Sequence, residues 1–125
     1  MSFTLLVVDD SKSSRKVNTA FVKSVCGDTV DCIEAASGEE ALAILAARPV
    51  ALVLLDLTMP GISGYDVLAE LRRRHQTVPV IVISADIQLP AKKRVAELGA
   101  IGFIEKPITE AALRAILTKL GVVHG

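Results

Sequence analysis

Three short, uninterrupted apolar runs limit what this chain can fold into: Thr4-Leu5-Leu6-Val7-Val8, Val50 to Leu55, and Val78-Pro79-Val80-Ile81-Val82-Ile83. Each is too short for a buried helix and rich in Val, Ile and Leu, so each is read as a buried strand. Their lack of alternation marks strands apolar on both faces, as in a parallel sheet covered by helices on each side. Each run also stops at a polar side chain: Asp9-Asp10 after the first, Asp56 after the second, Ser84 after the third.

Between the runs the period changes to that of helices. Ser11 to Val25 carries Val17, Phe21 and Val25 at i, i+4, i+8, which predicts an inward helix face; Ser11 or Asp10 is placed to cap it, and Gly27-Asp28 ends it. Val30 to Ala36 mixes polar and apolar residues and reads as a strand nearer an edge. Ser37-Gly38-Glu39-Glu40 has the spacing of a capping box and opens a helix with Ala41, Leu42 and Leu45 inward, ended by Arg48-Pro49. Ser63-Gly64-Tyr65-Asp66 starts another, with Val67, Leu68 and Leu71 inward. Its Arg72-Arg73-Arg74 end is a solvated helix terminus, where cations complement the dipole, rather than a nucleic-acid patch. A weaker helix is expected from Asp86 to Leu98, closed by Gly99, then a short strand over Ile101 to Ile104. Leu113, Ile116, Leu117 and Leu120 mark a final helix, ended by Gly121.

Five strands alternating with five helices predict an α/β fold with right-handed crossovers. The first, third and fourth strands are the most apolar and belong in the centre. The order 2-1-3-4-5, that of doubly wound, flavodoxin-like (βα)5 sheets, puts them there and leaves the second and fifth at the edges. In a parallel sheet the strand C-termini share one rim, where ligands bind in open α/β folds. That rim collects Asp9, Asp10, Asp56, Ser84 and Lys106. Three neighbouring carboxylates resist joint ionisation unless a cation relieves them, and Mg²⁺ favours oxygen ligands of this kind with water and a phosphate oxygen. Lys106 and the Ser84 hydroxyl suit an anion. The set describes a site for phosphoryl transfer with Asp56 as the nucleophile. Taken singly, each element has an ordinary reading as a helix cap, a turn or an exposed loop; the weight lies in their joint placement.

Composition narrows the alternatives. The 125 residues make one domain, large enough to need no disulfide or metal staple. Fourteen basic residues balance fourteen acidic ones, so nothing suggests bulk attraction to nucleic acid or to an anionic membrane. Cys26 and Cys32 lack metal-ligand spacing and read as reduced packing residues. With no signal peptide and no span of roughly 20 apolar residues, a cytoplasmic protein is expected.

The motifs Val7-Val8-Asp9-Asp10-Ser11, Asp56-Leu57-Thr58-Met59-Pro60-Gly61 with Gly64, Ser84-Ala85, and Gly99-Ala100 through Phe103 to Lys106-Pro107 resemble the receiver domain of two-component response regulators, in its stand-alone, CheY-like form. The resemblance spans essentially all 125 residues and implies one receiver domain over 1–125 without an output domain. It implies a phosphoacceptor signalling protein rather than an enzyme acting on a separate substrate. Asp56 would take a phosphoryl group from a histidine kinase, a phosphotransfer protein or a small phosphodonor. Asp10 and Asp56 would hold Mg²⁺ (or Mn²⁺) directly, Asp9 mainly through water, and the Thr58 backbone carbonyl would complete the protein ligands. Ser84 and Lys106 would contact the phosphoryl group, and Lys106-Pro107 would be cis. Ser84 and Phe103 would switch the face made by helix 4, strand 5 and helix 5, read by a downstream target or a phosphatase. Where the family often has Tyr, Phe103 lacks the hydroxyl. Thr58 and Asp86, each two residues past a site residue, would set the phosphoryl lifetime. A monomer is expected, with the same face as the route to a dimer, and chemotaxis is one candidate pathway.

Rival readings are weaker. A flavin-binding protein would need aromatic side chains to sandwich the ring, and the chain has one Tyr and no Trp. An Asp-nucleophile phosphatase usually needs a second acid where Thr58 stands. A P-loop is absent. A degenerate receiver serving only as an interaction module would not need the full set of site residues.

Overall fold

A computed structural model describes residues 3–85 and 88–122. Its elements are β1 (Phe3–Val8), α1 (Lys12–Cys26), a 3₁₀ turn (Gly27–Thr29), β2 (Val30–Ala35), α2 (Gly38–Ala47), β3 (Leu52–Asp56), α3 (Gly64–Arg73), β4 (Val80–Ser84), α4 (Leu89–Glu97), β5 (Gly102–Glu105) and α5 (Glu110–Lys119). All pairings are parallel and the order is β2-β1-β3-β4-β5. The expected edge and central strands are in place: β3 and β4 are buried at every residue, whereas β2 is only part-buried along most of its length.

The sheet divides its side chains by the strand period of two. Leu5 and Val7, Leu52 and Leu54, Ile81 and Ile83, and Ile104 form one core with Val22 and Val25 of α1 and Leu113 and Leu117 of α5. Leu6 and Val8, Val53 and Leu55, and Val80 and Val82 form the other with α2, α3 and Val95 of α4. Phe103 packs against this second core. Cys26 and Cys32 pack beside the first as free thiols, and burial raises both thiol pKa values.

Helix starts follow the sequence closely. Ser11, Ser37, Ser63 and Thr109 each accept a hydrogen bond from a backbone N–H of the first turn. The Ser63–Asp66 capping box is complete. The Ser37–Glu40 box is half-formed: Ser37 accepts from Glu40 N–H, but the Glu40 carboxylate reaches the N–H of Ala36 (3.3 Å), one residue early. On α1 the expected inward row is displaced. Asn18, Val22 and Val25 are buried, Phe21 is half-buried, and Val17 is 49% exposed. Two adjacent rows of α1 carry apolar residues, and packing on β1 and α5 selects the row led by Asn18. Arg73 and Arg74 pair with Glu70 at the exposed end of α3, as a solvated terminus should. Among the described residues α4 starts at Leu89, with Pro90 in its first turn, where a missing N–H costs nothing. No described helix is long and apolar enough to cross a membrane.

Candidate functional site

The ladder hydrogen bonds continue one residue past β1 and β5: Asp9 N–H donates to Ala35 O (3.1 Å) and Lys106 N–H to Ser84 O (2.9 Å). The alternation therefore runs on. Asp9 follows Leu5-Val7, Asp56 follows Leu52-Leu54, and Lys106 follows Ile104, all in the rows that face α1 and α5. Since Val8 is registered on Leu55, Asp9 comes beside Asp56. Ser84 follows Val80-Val82 in a row of the opposite face, the face on which Phe103 packs.

The result is a compact charged cluster. Asp9, Asp10 and Asp56 each offer a carboxylate oxygen, all within 4.8 Å of one another. Lys106 Nζ lies 3.1 Å from Asp56 Oδ2 and 3.5 Å from Asp9 Oδ2. Asp56 Oδ1 accepts from Thr58 N–H (3.2 Å), and Asp9 Oδ1 from Ser11 N–H (2.9 Å). Asp9 and Asp56 are almost wholly buried, while Asp10 and Thr58 are exposed. Burial pushes the Asp56 carboxyl above its ordinary pKa, against the hydrogen bond and charge of Lys106 and the Thr58 N–H; the charge of Asp9 adds to the push. Burial pulls Lys106 down, but its hydrogen bond to Asp56 and the two acidic charges outweigh that and leave its pKa raised. The asymmetry is physical: the lysine keeps 30% of its side chain in solvent and the Asp56 carboxylate 3%, so the desolvation cost falls on the acid.

One atom tests whether a metal fits. Asp9 Oδ2 is buried without a hydrogen bond of ordinary geometry, and Lys106 Nζ stands 3.5 Å away. A buried carboxylate oxygen left so is costly, and a hard cation among three carboxylates is the partner that its chemistry favours. The donor set, all oxygen with no His or Cys, fits Mg²⁺ rather than a softer ion.

The surrounding backbone is built to close around Asp56. Gly61 has φ +79° and supplies the turn after Pro60. A Cβ on Gly64 would lie 2.7 Å from Asp56 O and 2.8 Å from Leu57 Cα, so α3 can approach β3 only with glycine there. The Lys106–Pro107 peptide is cis. Ser84 is buried; Phe103 is half-buried with Lys92 Nζ 5.7 Å from its ring centroid. Asp86 lies outside the described residues. A groove of about 470 Å³ opens beside the cluster, lined by Asp9, Ser14, Asn18, Lys106, Pro107 and Ile108. Arg15 and Asn18 border the site without having been marked by any motif. Arg15 stands five residues after Asp10, and only the fold shows that its side chain returns to the acidic turn.

The chain belongs to the family of response regulator receiver domains, whose model it matches over residues 5–118. It is 38% identical over 120 residues to the "Probable transcriptional regulator ycf27" of Porphyridium aerugineum, covering 93% of this chain and 48% of that protein. It is 34% identical over 125 residues to the sensory/regulatory protein RpfC of Xanthomonas campestris, covering 97% of this chain and 17% of that one. Among solved structures, the chemotaxis protein CheY4 of Vibrio cholerae superposes with a TM-score of 0.85 at 25% identity, covering 95% of this chain and 98% of that one. The chain spans half or less of the length of the curated relatives it matches. As a receiver domain it serves phosphorylation-dependent signalling, in a fold shared with CheY-like proteins.

Proposed function

We propose that Asp56 is the phosphoacceptor of this receiver, working with a divalent cation held by Asp9, Asp10, Asp56 and the Thr58 carbonyl, and that Ser84 and Lys106 bind the transferred group. The observation that carries the reading is the buried pair of carboxylates bridged by Lys106 Nζ, with Asp9 Oδ2 left without a hydrogen bond of ordinary geometry.

In this reading an Asp56 carboxylate oxygen attacks phosphorus. The P–N bond of a phosphohistidine, or the P–O bond of an acyl phosphate donor, breaks as the Asp56–phosphoryl bond forms, and the leaving group takes the electron pair. Mg²⁺, or Mn²⁺ in its place, would supply charge neutralisation for the phosphoryl oxygens. Lys106, already close to both acids, is free to follow the negative charge from the Asp56 carboxylate to a phosphoryl oxygen.

The output follows from the division of the sheet. Ser84 stands on the row next to Phe103, so a phosphoryl group drawing on the Ser84 hydroxyl acts on the α4-facing side, where Phe103 is half-buried. Repacking of Phe103 would alter the face of α4, β5 and α5 that a partner reads, as a population shift set by the differential contacts of the phosphoryl group. Thr58 and Asp86 would govern access of water and so the lifetime of the acyl phosphate. The kinship to CheY4 supports a chemotaxis-type pathway as one assignment.

Intact-mass spectrometry with acetyl phosphate and Mg²⁺ tests the core of this reading. The wild type gains one phosphoryl mass and Asp56→Asn gains none; equal adduct on the variant sinks the assignment.

A further inference from the structure

Asp10 breaks the alternation that the rest of the rim obeys. The strand period would send its side chain to the face opposite Asp9, yet its carboxylate comes within 4.8 Å of both Asp9 and Asp56. No side-chain contact holds it there: among the described residues the Asp10 carboxylate makes no hydrogen bond or ion pair, and the residue is exposed. Its position therefore rests on the backbone that carries it, which includes the Asp9–Asp10 peptide.

That peptide has a dedicated partner. Arg15 Nη1 donates to the Asp9 carbonyl oxygen at 2.8 Å. The same guanidinium donates through Nε to Glu34 Oε1 on β2 at 3.1 Å, and the side chain is only 14% exposed. The planar fork of Arg is thereby fixed at both ends, on a helix whose first turn is itself capped by Ser11. A lysine would have to reach both acceptors with a single nitrogen, where Arg15 uses two nitrogens held in one plane.

We propose that Arg15 is a positioning residue for the divalent-cation site: by holding the Asp9 carbonyl it fixes the peptide that brings Asp10 into the cluster. The inference rests on the reading that Asp9, Asp10 and Asp56 hold the ion. Arg15 does not touch the ion; it acts through Asp10, as partners behind metal ligands commonly do.

The test is Mn²⁺ binding, followed by electron paramagnetic resonance of the free ion, in the whole chain. Arg15→Ala raises the Mn²⁺ Kd about tenfold, the usual scale for an outer partner of a metal ligand, and saturating metal restores acetyl-phosphate labelling to the wild-type extent. Val22→Ala loosens the same helix from within the core, away from the acidic turn. It lowers the metal-free Tm at least as much as Arg15→Ala but shifts Kd by no more than about twofold. An Arg15→Ala Kd no weaker than that of Val22→Ala overturns the proposal. Arg15→Lys falls between wild type and Arg15→Ala; if Arg15→Ala does not fold, a wild-type Kd in Arg15→Lys overturns it instead. Asp10→Asn separates the two levels: undiminished binding there removes the metal reading itself, whereas binding lost in Asp10→Asn but kept in Arg15→Ala removes only the role of Arg15.

Discussion

Along the face covered by α1 and α5, apolar rows end in charge: Leu5 and Val7 lead to Asp9, Leu52 and Leu54 to Asp56, and Ile104 to Lys106. Along the face covered by α2, α3 and α4, the row of Val80 and Val82 ends in the hydroxyl of Ser84, and Phe103 stands on the neighbouring strand. The two faces have cores of the same kind, so stability is shared while chemistry is not. One face gathers the groups that can bind metal and phosphoryl. The other holds the groups that can respond, a hydroxyl at the rim and a half-buried ring beside a helix. A central sheet one residue thick separates them, and Asp56 and Ser84 stand on adjacent strands across it.

If the cores are equivalent, Leu54→Ala and Leu55→Ala should be equally damaging. Both side chains are fully buried, and each truncation is expected to cost about 2–5 kcal/mol by urea denaturation. A gap of more than about 3 kcal/mol between them would break the symmetry, since that exceeds the spread that differing relaxation of buried sites gives. Next in size is Gly64→Ala, where the added methyl meets the Asp56 carbonyl and Leu57 Cα. The expected loss is about 1–3 kcal/mol, read from the urea midpoint at unchanged m-value. An unchanged midpoint would mean that α3 can retreat from β3 without cost.

Asp56→Asn should act in the other direction. The Asp56 pKa is raised in the folded state, so its ionised form opposes folding; the penalty is absent below the unfolded pKa and complete once pH exceeds the folded one. Metal-free Asp56→Asn is therefore more stable than wild type at pH 7, and the two converge as pH falls below about 4, near the ordinary Asp value. Lower stability of the variant at pH 7 would mean that the Lys106 pair outweighs burial. The smallest effect is at the caps. Ser63→Ala loses a complete box and Ser37→Ala a half-formed one, so Ser63→Ala should cost more, about 1 kcal/mol, in thermal unfolding. The reverse order would show that completing the box adds nothing to what the Ser63 side chain contributes.

Much of the molecule was legible in the residues because the signals are local. Apolar runs that ignore the strand period mark strands buried on both faces, and the mixed run Val30 to Ala36 marks an edge, so hydropathy separates central from edge strands, while the order 2-1-3-4-5 is the one known for doubly wound sheets of this kind. Ser63 and Asp66 specify their own helix start, since both partners lie within one turn. The placing of Asp9, Asp56 and Lys106 on one face also follows from the period of two, once the ladder is known to run one residue beyond β1 and β5.

Other features were decided only by the tertiary structure. Val17 and Asn18 lie on adjacent rows of α1, and apolar spacing favours Val17; the rotation of the helix is set by how its neighbours pack, and it turns Asn18 inward. Glu40 meets Ala36 N–H rather than that of Ser37, a one-residue difference that the spacing of the motif does not carry. Asp10 joins the cluster against the strand period because the chain turns after Asp9, and Arg15 holds that turn from a helix that β2 steadies through Glu34. The sequence by itself determined which strands are buried and which charges reach the rim, because burial and alternation are properties of a strand and its composition. Only the tertiary structure decided how a rim of charges becomes one site, because the directions of a peptide plane and a guanidinium fork depend on neighbours distant in the chain.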